Sequence, residues 1–303
     1  MKIEVKDYTY EEMPDYNEYV EGAKEIVMTG HEIGVQYFPD VVYDTKEGIA
    51  LHLQILVPSI FLEPDRKFPL IVFIQGSAWR KQNVYWDLYQ RGRLAQRGYV
   101  VAVVEYRHSG IAHFPAQIID GKNAIRYMKA HADEYHVDAD NTFIMGDSSG
   151  GHTATLIGMT SNTSLFDEPI NDIALNLRGI IDLYGAVNLT MPYGYPTALD
   201  HQLLSSNEGA FLGYNIRENE EEASKANAKT YVNLDYPPVL IVHGSKDRLV
   251  FMGQSVELYE EMKKAGKDVE FYILRNSDHA GCAFWKDELL DVYDEFIKEC
   301  LVD

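Results

Sequence analysis

Residues 142–152 read Thr-Phe-Ile-Met-Gly-Asp-Ser-Ser-Gly-Gly-His. The apolar run predicts a buried strand, and the Ala/Thr/Leu/Ile-rich segment after Gly150 and Gly151 predicts a helix. Between them Gly146-Asp147-Ser148-Ser149-Gly150 fits G-x-S-x-G, a pattern that places its serine on a sharp strand-to-helix corner with the hydroxyl exposed. A chain that makes this corner must have a sheet with helices packed on it, because the strand is buried and the helix begins at its end. Only Ser148 has glycine two residues before and two after it, so the register selects Ser148, and Ser149 offers a backbone N–H at the positive end of the helix.

The rest of the chain supplies such a sheet. Glu32 to Phe38 and Ala50 to Val57 alternate apolar and polar residues, with Asp44 to Gly48 as the turn, which predicts an antiparallel hairpin at one sheet edge. The continuous apolar run Pro69 to Gln75 predicts a central strand covered on both faces, further buried strands are predicted at Tyr99 to Glu105 and Thr142 to Met145, and strands at Gly179 to Tyr184, Pro238 to His243 and Asp268 to Leu274. Helices are predicted between or after them at Asn83 to Arg97, Ala116 to Glu134, Phe251 to Lys264 and Phe284 to Glu299. Alternation of this kind gives an α/β fold, a mostly parallel sheet of about eight strands with right-handed crossovers and helices on both faces. Two segments break the rhythm. Residues 1–30 are rich in Tyr, Glu and Asp and predict an N-terminal extension with a helix at Asn17 to Met28; residues 185–235 predict a cap inserted over the site. The 303 residues are otherwise expected to form one domain.

Composition narrows the partners. With 47 acidic and 27 basic residues the net charge is −20, which opposes nucleic acid and anionic lipid. No apolar run reaches the roughly 18 residues of a membrane span, and the opening Met-Lys-Ile-Glu-Val-Lys-Asp has no signal-peptide core, so a cytoplasmic protein is expected. The two cysteines, Cys282 and Cys300, offer neither a disulfide framework nor a Cys-based metal site, and no metal or cofactor is expected. A small-molecule or oligosaccharide substrate remains the expected partner, with homodimerisation left open.

A serine hydroxyl needs a base to take its proton and a third group to orient that base. Asp247 follows the strand ending at His243, and His279 follows the strand ending at Leu274. Loops at the carboxyl ends of parallel strands are where α/β sites form. The order Ser148, Asp247, His279 is the one described for α/β-hydrolases. Of the ten histidines, His108 and His113 in one loop are the reserve bases, and Asp278 and Asp182 the rival acids. His243 is expected to hydrogen-bond locally. Gln75-Gly76-Ser77-Ala78-Trp79, after a central strand, offers backbone N–H groups for an oxyanion, with Gly76 and Ser77 donating alongside Ser149. Trp79 is pocket wall or core. In the cap, Met191, Tyr193, Tyr195, Leu199, Phe211, Leu212 and Tyr214 are too many apolar side chains for a solvated loop, so some line a substrate pocket or anchor the cap; Tyr193 and Phe211 are taken as pocket residues.

These blocks resemble the α/β-hydrolase family, in particular its hormone-sensitive-lipase-like branch with the bacterial feruloyl-esterase-like members. Across Pro69 to Glu299, Gln75-Gly76-Ser77-Ala78-Trp79 is similar to the family's His-Gly-Gly-x-Trp, Glu105-Tyr106-Arg107 to its Asp-Tyr-Arg, and Gly146 to His152 to its Gly-Asp-Ser-Ala-Gly-Gly-His; Asp247 and His279 complete the match. The departures are Gln75 for His and Ser77 and Ala78 for Gly. Glu105 and Arg107 are expected to form a structural ion pair. The resemblance implies a carboxylic ester hydrolase with Ser148 as nucleophile, His279 as base and Asp247 as orienting acid, acting on short-chain or aromatic esters such as the acetyl and feruloyl groups of plant polysaccharides. The same scaffold hosts arylformamidases and serine peptidases, and a non-catalytic ligand receptor is the alternative of a different kind.

Overall fold

A computed structural model describes residues 5–168, 173–191 and 199–302. Its centre is an eight-stranded sheet in the order β1-β2-β4-β3-β5-β6-β7-β8. The strands are β1 (Ile33–Lys46), β2 (Ile49–Ile60), β3 (Phe68–Ile74), β4 (Val100–Val104), β5 (Val137–Asp147), β6 (Leu177–Leu183), β7 (Val239–Gly244) and β8 (Val269–Leu274). The predicted hairpin forms: β1 pairs antiparallel with β2, and β2 antiparallel with β4. All remaining pairings are parallel.

The central strands β3, β4 and β7 bury both faces, whereas the edge strand β8 is partly exposed. Along β3, Leu70, Val72 and Ile74 enter one core while Ile71 and Phe73 enter the other, the period of two that a strand imposes. The first core is closed by helices α2 (Ala116–Ala130), α3 (Ser149–Met159) and α6 (Gly253–Lys264), the second by α1 (Leu88–Ala95) and α7 (Asp287–Cys300). Helix α1 is shorter than the pattern at 83–97 predicts, because Asp87 at φ 59 keeps the chain out of helical geometry until Leu88. Between β6 and β7 the cap contributes two short helices, α4 (Asn207–Leu212) and α5 (Glu220–Ala223), and a third small core of Trp79, Leu189, Phe211, Ile216 and their neighbours.

The predicted helix at Asn17 to Met28 does not form. Gly22 sits at φ 79, and Tyr19, Ile26 and Val27 are each at least 85% exposed. A helix of that length is marginal in water unless its apolar stripe is buried, and here the stripe is exposed.

Candidate active site

The strand order places the site. The crossover from β3 runs to β4 on one side, while β5 lies on the other side of β3, so the chain reverses between β3 and β5. The crevice outside the carboxyl ends of strands at such a reversal is where α/β sheets accept ligands. Register brings Ile74 beside Gly146 and Asp182 beside Gly146, so the loop after β3, the corner after β5 and the end of β6 meet there.

At the corner Ser148 adopts φ 55, ψ −125, a conformation costly for a residue with a Cβ. Its surroundings hold it: Ser148 N–H donates to Leu183 O, and His152 N–H to Ser148 O. The flanking glycines are required by backbone proximity. A Cβ on Gly150 would stand 2.0 Å from Ile74 O, and one on Gly146 2.3 Å from Gly150 O.

The structure brings the three spaced residues into one hydrogen-bonded chain. Ser148 Oγ is 2.9 Å from His279 Nε2, and His279 Nδ1 is 2.7 Å from Asp247 Oδ2. Since a carboxylate only accepts, Nδ1 carries the proton and Nε2 faces the hydroxyl as acceptor. Asp247 is fully buried and has more donors than the sequence suggests. Its Oδ1 accepts from the N–H groups of Leu249 and Val250, both at 2.8 Å, and its Oδ2 also receives His243 Nε2 at 3.1 Å. Burial pushes this carboxyl up, but the hydrogen bonds from His243 and His279 outweigh it and hold Asp247 well below the usual carboxylate range. The two loops that carry Asp247 and His279 are laced together: Ser245 N–H donates to Leu274 O, and Lys246 N–H to Ser277 O.

The loop after β3 departs from expectation. Gly76 N–H donates to Asp147 Oδ1 at 2.7 Å and Ser77 N–H to Ser149 Oγ at 2.9 Å. Both are taken by side chains of the corner, so neither Gly76 nor Ser77 aims its donor at an oxyanion. The reason is chemical: the two variable positions of G-x-S-x-G here are Asp and Ser, which carry acceptors where an apolar residue would carry none. Among the described residues no hydrogen bond takes the N–H of Ala78, which turns the loop at φ 53. Ser149 N–H, in the first turn of α3, has no intrahelical acceptor. Tyr106 OH and Ser77 Oγ, 3.0 Å apart, brace the loop, and burial pushes the Tyr106 phenol up to about 12.

Ser148 and His279 open into a cavity of about 80 Å³ whose apolar wall includes Trp79, Ala186, Leu199, Leu249 and Val250. Larger cavities of about 480 to 560 Å³ lie at residues distant from the triad, so size does not mark this site; the chemistry around Ser148 does.

Residues 53–262, more than two thirds of the chain, match the BD-FAE family model. The chain belongs to the BD-FAE family. Among curated relatives, LipM of Mycobacterium tuberculosis, named a probable carboxylic ester hydrolase, is 27% identical over 238 residues, 77% of this chain and 53% of its own. The isoprenylcysteine alpha-carbonyl methylesterase ICME of Arabidopsis thaliana is 23% identical over 258 residues, 82% of this chain and 57% of its own. The chain thus spans about half the length of the curated relatives it matches. Among solved structures, the truncated form of a carbohydrate esterase from gut microbiota is similar at a TM-score of 0.76 and 25% identity, covering 89% of this chain and 98% of that one. Esterase 2 of Thermogutta terrifontis, at a TM-score of 0.67 and 24% identity over 89% of this chain and 92% of its own, shares the fold. The fold is that of the α/β-hydrolases.

Several residues of this BD-FAE member fall elsewhere than its sequence suggests. Phe211 is fully buried and stacks on Trp79 at 4.4 Å and 12°, with Phe114 and His152 at its edges. It is cap core and does not line the cavity; Trp79 stands between. Tyr193 lies outside the described residues. Glu105 pairs with His52 at 2.7 Å, and Arg107 with Asp120 at 2.7 Å, so the expected ion pair between Glu105 and Arg107 is absent. In a strand end the side chains at 105 and 107 share a face, but each finds a nearer partner on another element. Asp278 is held by Arg248 and does not touch the His279 ring. His113 Nδ1 meets Ala210 O and His108 Nδ1 accepts from Gly110 N–H, so neither reaches Ser148.

Sequence reasoning missed two supports and left the partner of a third unnamed. His243, expected to hydrogen-bond locally, does so, and its partner is Asp247, four residues further along the chain. Arg91, 1% exposed between Phe73 and Trp285, lies 3.7 Å from Asp147 Oδ2. Tyr184 OH reaches the same oxygen at 3.2 Å while its ring packs on His279 at 4.8 Å. Among the described residues no group of three or more His, Cys, Asp or Glu is arranged to hold a metal, and no helix is long and apolar enough to cross a membrane.

Proposed function

We propose that this chain is a serine esterase that removes small acyl groups, acetyl above all, from alcohols. The observation that carries the reading is the unbroken line Ser148 Oγ, His279 Nε2, His279 Nδ1, Asp247 Oδ2 at 2.9 and 2.7 Å beside a small cavity. In this reading Ser148 Oγ attacks the ester carbonyl carbon as its proton passes to His279 Nε2. Asp247, kept ionised by its four donors, stabilises the imidazolium so formed. The N–H groups of Ser149 and Ala78 hold the oxyanion, in place of Gly76 and Ser77. Collapse of the tetrahedral adduct returns the proton to the leaving alkoxide; water then adds to the acyl-enzyme with His279 as base, releasing the acid and restoring Ser148.

Cavity size supports acetyl over feruloyl. At about 80 Å³ the cavity is smaller than the roughly 150 Å³ hole that accommodates benzene, which favours an acetyl over a substituted aromatic ring. The named activities of LipM and of the gut carbohydrate esterase support the same class, and the latter points to sugar-borne acyl groups. The test is a parallel assay of 4-nitrophenyl acetate, butyrate and octanoate, methyl ferulate, acetylated xylan and N-formylkynurenine. The expected order is acetate above butyrate, with octanoate and ferulate far below and acetylated xylan turned over. Preference for octanoate, ferulate or the formamide would overturn this reading.

A further inference from the structure

The cavity beside Ser148 contains a polar pair that ester cleavage does not require. His201 and Glu208, both from the cap, are 5% and 6% exposed, and both line the cavity. His201 Nδ1 is 2.7 Å from Glu208 Oε1, so the imidazole donates and fixes the carboxylate's orientation. Placing a carboxylate in a buried wall is unfavourable unless it is paired, and an acyl methyl has no use for one. Nor is the pair the sole fixing of its loop. Ser206 Oγ donates to His201 O and to Leu203 O, Ile216 N–H to Gln202 O, and the Arg217 guanidinium reaches Gln202 and Asp200.

Its placement indicates which half of an ester would meet it. The apolar wall of Trp79, Leu199 and Val250 suits the acyl group. Glu208 follows Asn207, whose Oδ1 accepts from Arg80 Nε at 2.8 Å, and Arg80 is exposed on the loop that leads from Gly76. The Asn207 and Glu208 edge therefore adjoins the polar rim at Arg80, which suits the alcohol half. Resting on the esterase reading above, we propose that Glu208, oriented by His201, is a substrate-binding residue that accepts a hydrogen bond from a hydroxyl on the alcohol half, so that polyhydroxy alcohols such as sugar rings are preferred. One carboxylate oxygen is engaged by His201, and the carboxylate retains acceptor capacity on the other.

The experiment uses the full chain, with kcat and KM measured on 4-nitrophenyl acetate, a monoacetylated methyl xyloside and acetylcholine. Sites built to bind a hydroxyl lose most discrimination when the acceptor goes. Glu208→Leu should lower kcat/KM on the xyloside on the order of 10-fold or more beyond its effect on 4-nitrophenyl acetate, chiefly through KM. Glu208→Gln, which keeps an oxygen acceptor, should recover much of that gap, and His201→Phe should open it in the same direction by a smaller factor. Should Glu208→Leu not fold, a His201→Phe variant with the same xyloside-to-aryl ratio as the unmodified chain would overturn the proposal. Equal losses on xyloside and aryl acetate would make the pair structural and also overturn it, as would a loss confined to acetylcholine. Failure of the unmodified chain to cleave any of the three esters would instead overturn the esterase reading of Ser148.

Discussion

The corner at Ser148 and the cap face each other across one cavity and are held in place by different means. At the corner the constraints are local and steric: Gly146 and Gly150 have no room for a Cβ, Ser148 is kept at φ 55, and main-chain bonds fix both sides. In the cap the constraints are distant and made by side chains. Phe211 stacks on Trp79, Arg80 reaches Asn207 across 127 positions of sequence, and His152 Nε2 on α3 reaches Ala226 O at 2.7 Å. Local steric rules leave a spacing pattern in the sequence; distant side-chain contacts leave none. Chemistry at the corner can therefore be read from five residues, while whatever selects the substrate cannot.

The largest expected effect tests the corner. Ser148→Ala should lower kcat on 4-nitrophenyl acetate by about 10⁴-fold or more, with the melting temperature retained. Ser149→Ala removes the acceptor of Ser77 N–H but keeps the backbone donor of residue 149, and should cost about 10-fold or less. A dead Ser149→Ala beside an active Ser148→Ala, read by the same assay, would break the distinction between a corner built for Ser148 and a plain glycine-rich turn.

The next effect belongs to the cap core. Phe211→Ala removes a fully buried ring stacked on Trp79, and should destabilise by about 3–5 kcal/mol. Denaturant titration should show that loss, while kcat/KM on acetate and butyrate esters should fall by similar factors. A substrate-dependent change with little loss of stability would return Phe211 to the pocket and make the cap as legible as the corner.

What could be read beforehand follows the same division. The strands were legible because short apolar runs, bounded by turn residues and alternating with longer helical patterns, fit a buried parallel sheet. The meeting of Ser148, Asp247 and His279 was legible because each follows a strand whose carboxyl end is shared. The donors of the loop after β3 were misjudged because Asp147 and Ser149 bring acceptors to Gly76 and Ser77, a contact across 71 and 72 positions that no spacing rule encodes. The stripe at 17–28 had helical period but stays exposed. His201 and Glu208 gave no signal at all, since a His and a Glu seven residues apart in a polar segment look like solvated loop until the fold turns them inward.

A smaller effect concerns the floor beneath the corner. Asp182 ends β6, accepts from Gly185 N–H at 2.9 Å, and has a second oxygen without a partner; burial pushes its carboxyl up to about 7. In the unfolded chain an aspartate titrates near about 3.9. Between about pH 4 and 7 the native state therefore holds a proton that the unfolded state has lost, and this group makes stability fall as pH rises through that window. Asp247 has the opposite sign: its depressed pKa contributes stability above the ordinary carboxylate range and loses it only as pH falls below. Asp182→Asn keeps the shape and removes the proton, so relative to the unmodified chain the variant should gain on the order of 3 kcal/mol between pH 4 and pH 7. Parallel pH curves of melting temperature for the two proteins would deny that Asp182 is buried as an acid.

The smallest expected effect asks whether the cap shapes the cavity as well as roofing it. Leu199 is 47% exposed yet lines the cavity together with Trp79, so it is placed as a wall and not as core. A wall half in solvent buries little area, and Leu199→Ala should leave the melting temperature nearly unchanged. The cavity it enlarges should admit a longer acyl chain, raising the ratio of kcat/KM for butyrate over acetate by roughly 10-fold, or about 1.4 kcal/mol. Phe211→Ala and Leu199→Ala are thus opposite probes of one segment: the first should move stability and leave the ratio, the second should move the ratio and leave stability. If Leu199→Ala instead lowers both rates equally along with the melting temperature, acyl length is set by Trp79, Leu249 and Val250 on the domain side, and the cap acts on the substrate only through Glu208.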